Sequence, residues 1–142
     1  MSRTLILAAL AVACAAGFLV RDLMPAVNAQ AGARVYELRT YTANDGKLDA
    51  LHARFRDHTL RLFEKHGMEN VVYLAPTDAP LATNTLVYLL AHESREAAAA
   101  SWAAFGADPE WIAARDASQV DGALVAGLES VFLTATDYSP MR

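Results

Sequence analysis

The 142-residue chain is almost without cysteine: Cys14 is the only one. It sits inside an apolar N-terminal run, so the remainder has no disulfide, metal thiolate or cysteine nucleophile. Histidine is scarce too, with four in the whole chain. His52 and His58 lie six apart, which sets them on different faces of a helix, and no HxxxH, HExxH or acidic calcium loop is present. There is no glycine-rich phosphate loop and no GxSxG elbow. These gaps remove the common metal, nucleotide and serine-hydrolase signatures, and no motif asks for a cofactor. Acid–base work in a small cavity, or binding without chemistry, is what is left.

Basic charge is also short, with 12 Lys and Arg against 16 Asp and Glu, a net −4. Setting aside Arg3, Arg21 and Asp22 of the N-terminal segment leaves 10 against 15, a net −5. An acidic domain without a basic cluster argues against a nucleic-acid partner and against docking on anionic lipid.

What is there begins with a leader. Ser2-Arg3 precedes an apolar run from Leu5 to Val20, followed by Arg21-Asp22, Pro25 and the small residues Val27-Asn28-Ala29-Gln30-Ala31. That order is the one found in secretory signals, and Val27-x-Ala29 and Ala29-x-Ala31 both fit small-x-small cleavage. The run of about 16 residues falls short of the ~20 that span a bilayer, which favours a cleaved signal over a retained anchor. Either outcome exports the domain at 32–142, to the periplasm or exterior, or anchored there, with membrane attachment only through residues 1–31.

Val35-Tyr36-Glu37-Leu38-Arg39-Thr40-Tyr41-Thr42 alternates with a period of two, so residues 34–42 read as a strand with Glu37 and Arg39 on one face and Tyr36 and Leu38 on the other. Asn44-Asp45-Gly46 turns into a helix over 47–66, whose Leu48, Leu51, Phe55, His58 and Leu62 form one stripe and which Gly67 ends. Strands follow over 70–75 and 85–92, joined by a Pro-containing loop. Ser94 caps a helix over 95–105, and Asp108-Pro109-Glu110 opens a short one holding Trp111. A last strand runs over 124–134. The order βαββαβ with right-handed crossovers predicts a ferredoxin-like α+β fold: a four-stranded antiparallel sheet of order 4-1-3-2 with both main helices on one face. In the third strand both Leu86, Tyr88, Leu90, His92 and Val87, Leu89, Ala91 are apolar enough to bury. A sheet apolar on both sides needs a second cover, and a face-to-face copy giving a dimeric α+β barrel is the simplest.

The segments Val35–Tyr41, Gly46-Lys47, Phe55-Arg56-Asp57-His58-Thr59, Glu64-Lys65-His66-Gly67, Ser94-Arg95-Glu96, Asp108-Pro109-Glu110-Trp111 and Leu128-Glu129-Ser130 together resemble the NIPSNAP family across nearly all of 34–142. The chain departs from that pattern at Val72-Tyr73-Leu74, Gly106 and Ile112. The resemblance implies the same fold and no settled reaction.

The candidate site residues carry two readings each. His58, on the buried stripe, is either a hydrogen-bonded core histidine or a pocket acid/base. With Leu38 toward the helices, Glu37 and Arg39 face the dimer cavity, with Glu129 of the last strand in cross-strand reach. They then form either an interface salt bridge or a charged cavity that holds a carboxylate. His66 suits a helix C-terminus electrostatically. Trp102 and Trp111 are core or lid packing. Tyr73, Tyr88, His66, Trp111 and Glu129 are the candidate pocket lining. Two functions follow: a homodimer that binds a small apolar or carboxylate-bearing ligand or a partner, or a cofactor-independent monooxygenase-like or acid/base enzyme of the same architecture.

Overall fold

Alternation and turn chemistry place the strands as expected. The structure, a computed structural model, describes residues 34–141. The leader and Cys14 lie outside the described residues. Strand β1 is Val35–Ala43, helix α1 runs from Leu48 to Lys65, and β2 is Glu69–Leu74. Strand β3 is Thr85–His92, α2 is Arg95–Ala107, α3 is Pro109–Ser118 and β4 is Val125–Thr134. The sheet order is β2-β3-β1-β4, with every pairing antiparallel.

Local signals account for the helix ends. The Ser94 hydroxyl accepts from the Ala97 N–H at 3.1 Å, and Asp108 accepts from the Glu110 N–H at 2.8 Å with Pro109 at the first helical position. Gly67 takes φ +75° just past α1, the left-handed conformation that ends helices.

Helix α1 departs from the regular pattern. It is α-helical over Leu48–Arg54, π-helical over Phe55–Thr59 and α-helical again over Leu60–Lys65. The Leu60 N–H reaches back five residues to the Phe55 carbonyl, and the Thr59 hydroxyl donates to the Arg54 carbonyl at 3.2 Å. A wide turn holds one extra residue, and each residue is worth about 100° of rotation. Thr59 therefore turns inward and His58 outward: His58 is exposed, which corrects its expected place on the buried stripe.

The helix-side core holds Leu51, Phe55, Leu62, Phe63, Met68, Leu86, Tyr88, Leu90 and Phe105. Burying each large apolar side chain contributes about 1.5–3 kcal/mol. Rings dominate: Phe55, Phe63 and Tyr73 all pack on Tyr88 with centroids 5.2–6.1 Å away. The other sheet face gathers Tyr36, Leu89 and Ala91 with Leu38 and Val71 against them, while Val72, Leu74, Val131 and Leu133 stay exposed. A register shift between Asn70 and Val72 leaves both Asn70 and Tyr73 on the helix side, where the Tyr73 hydroxyl donates to the Asn70 side chain.

A saturated carboxylate and an aromatic cavity

The charged residues of β1, Glu37 and Arg39, turn toward the helices, not toward the open face of the sheet. Glu37 is 1 % exposed. Its Oε1 accepts from Arg39 Nη1 at 2.6 Å and Ser130 Oγ at 2.7 Å. Its Oε2 accepts from Trp102 Nε1 at 2.7 Å and lies 3.1 Å from His92 Nε2. An ionised carboxylate only accepts, so His92 carries its proton on Nε2. Burial raises the Glu37 pKa, but the bonds from His92, Ser130, Trp102 and Arg39 outweigh it and hold the value at about 2. The Arg39 guanidinium lies 4.1 Å from the Trp102 ring centroid, and burial notwithstanding it is pushed above its ordinary value by its surroundings, the Glu37 carboxylate among them.

This geometry corrects two expectations. Leu38, not the Glu37–Arg39 pair, faces away from the helices. Glu129 pairs with Thr40 across the strands, so it shares the face of Leu38, is exposed and forms no ion pair with Arg39. The network spans β1, β3, α2 and β4. Ser130, Trp102 and His92 were not foreseen as its members, because their contacts arise only once the sheet is assembled.

A second carboxylate ties helices together. Asp108 Oδ2 accepts from Lys65 Nζ and pairs with His66 Nε2, both at 2.7 Å, while Oδ1 caps α3. The bonds from Lys65, His66 and the Glu110 N–H hold its pKa well below the usual carboxylate range. His66 is thereby a link between α1 and α3.

Next to these two centres lies a cavity of about 150 Å³ between the sheet and the helices. Tyr41, Phe55, Phe63, Phe105 and Trp111 wall it. Phe105 and Trp111 lie 4.4 Å apart between centroids, at 33°. Its polar lining includes Arg54, Arg115 and Gln119, and no carboxylate or histidine. Arg54 is 7 % exposed; its Nε has no partner and its Nη1 reaches Ser118 Oγ only at 3.4 Å. Burial lowers its pKa, with Arg115 adding in the same direction.

Of the expected lining residues, Trp111 alone borders this cavity. Tyr73 borders a separate surface groove with His52 and Leu60. Tyr88 is fully buried in the core, with an unpartnered hydroxyl whose pKa burial drives upward. His58 lies in a separate groove between α1 and α3, which Arg54, Asp57 and Ala114 also line. Arg54 was missed; its signal is its place three residues after Leu51, on the flank of the apolar stripe. Among the described residues no group of three His, Cys, Asp or Glu is placed to hold a metal ion.

The family profile described as NIPSNAP matches residues 36–140. A NIPSNAP-family protein of unknown function from Agrobacterium tumefaciens is 25% identical, with a TM-score of 0.68 over 78% of this chain and 96% of that one. An uncharacterised NIPSNAP-like domain protein from Burkholderia xenovorans is 20% identical, with a TM-score of 0.66 over 77% and 90%. A cofactor-independent oxygenase from Streptomyces nogalater shares the fold at 16% identity, with a TM-score of 0.51 over 76% and 98%. No curated protein shows significant sequence similarity to the chain.

Proposed function

The chain belongs to the NIPSNAP family, and on that footing we propose that it is an exported homodimeric binding protein that holds a small organic ligand between sheet and helices. The aromatic cavity carries this reading: its volume of about 150 Å³ matches the size that accepts a benzene-like ring in other proteins. The lining has no carboxylate or histidine to act as a general base, and Glu37, Arg39 and His58 lie outside it. That favours binding over the acid–base alternative. The likeness to an oxygenase speaks for the fold only.

The dimer half of the reading rests on the sheet face opposite the helices. Leu38, Val72, Leu74, Val131 and Leu133 lie there beside Tyr36 and Leu89, an apolar stretch that no described helix covers. A second copy, face to face, removes that surface from water and leaves both cavities on the outer layers. Export rests on the signal-like segment at 1–31.

Native mass spectrometry of the mature protein from its own host tests all three parts. The expected result is a dimer lacking the leader, with a retained molecule of less than a few hundred daltons. A monomer at micromolar concentration overturns the assembly. Failure of any aromatic probe, charged or neutral, to bind overturns the cavity reading.

A further inference from the structure

Arg54 is an unusual residue to find on an aromatic wall. A buried guanidinium is costly unless an anion or a full set of acceptors meets it. Arg54 has neither among the described residues: the one acceptor in reach, Ser118 Oγ, is at 3.4 Å, and no carboxylate pairs with it. Trp111 offers partial compensation, with its ring centroid 5.3 Å from the guanidinium carbon. Arg115 adds a second positive charge to the same cavity. It is held by Asp116 through Nε and Nη2, both at 2.8 Å, in an exposed pair. The chain as a whole is acidic, at net −4, yet this cavity is lined by two cations and no acid. Thr59 donates its hydroxyl to the Arg54 carbonyl and makes no bond to Arg54 Nε.

The geometry points to a ligand class: a single-ring aryl carboxylate, with the ring among Tyr41, Phe105 and Trp111 and the carboxylate on Arg54. This deepens the cavity reading above and rests on it. The ring follows from volume and walls, since a cavity of about 150 Å³ takes one benzene-sized group. The charge follows from Arg54, whose planar fork matches a carboxylate with two parallel N–H bonds. Binding is non-covalent, and no bond is made or broken.

The test compares benzoate, its neutral isostere benzamide, and acetate, each titrated into the intact protein while tryptophan fluorescence and heat are followed. Benzoate is expected to bind at least tenfold more tightly than either of the others. Arg54→Met, which keeps the stem's packing and removes the charge, is expected to bring benzoate down to the level of benzamide. Its circular dichroism and melting temperature establish that the variant is folded. Benzamide binding as well as benzoate overturns the charge assignment and leaves the cavity reading standing. Acetate binding as well as benzoate overturns the ring. Benzoate preference that survives Arg54→Met moves the anion away from Arg54 and overturns the proposal. No binding by any of the three ends both this inference and the cavity reading.

Discussion

Two buried charges sit on the same side of the sheet and are treated in opposite ways. Glu37 has four donors on two oxygens. Arg54 has one long contact and an orphaned Nε. A carboxylate so fully occupied has no lone pair to offer a substrate and acts as a cross-brace among β1, β3, β4 and α2. A guanidinium so sparsely occupied gives little to the fold and has donors left unspent. The difference separates structure from site better than residue type does, since both residues are charged and nearly inaccessible.

Breaking the brace gives the largest effect. Glu37→Gln removes the charge and turns amide donors toward groups that already donate, and is expected to cost about 3–5 kcal/mol, measured by urea denaturation. A loss below about 1 kcal/mol would show that the network is dispensable. Acid acts on the same group. Its folded pKa of about 2 lies below the ordinary 4.5, so its contribution is complete above the ordinary value and drains away as pH falls toward 2. Roughly 3 kcal/mol of stability is expected to disappear between about pH 5 and pH 2. Asp108, also held low, contributes with the same sign. In Glu37→Gln the acid limb is expected to flatten; an unchanged limb assigns it to other carboxylates.

Arg54→Met sharpens the contrast from the other side. Without ligand its stability is expected to be unchanged or raised by about 1 kcal/mol, because removing an unpaired buried charge relieves its desolvation. A loss of 2 kcal/mol or more in thermal denaturation would make Arg54 a second brace. His58→Ala belongs to neither region and is expected to stay within about 0.5 kcal/mol of the parent protein. A larger shift would return His58 to the core.

The contrast also shows what could be read from the chain. The four strands, their order and the caps at Ser94 and Asp108 followed from period, turn residues and handedness, all of which are local or nearly so. Which face of β1 meets the helices did not follow. Alternation separates Glu37 from Leu38 without saying which one is inside, and the donors that make Glu37 tolerable there come from positions 92, 102 and 130. His58 was misplaced by a single wide turn, because periodicity counts residues as if every turn held 3.6. Arg54 resembles any solvated basic residue of a helix until α3 is laid over it.

Asp108 closes the end of α1 and opens α3 with the same carboxylate, and Phe105 and Trp111 lie three residues to either side of it. The two rings, 4.4 Å apart between centroids, therefore lean together as one slab hung on a single pin. Lys65 and His66 hold that pin from outside the cavity, so the set of an apolar wall is governed by a polar clasp behind it.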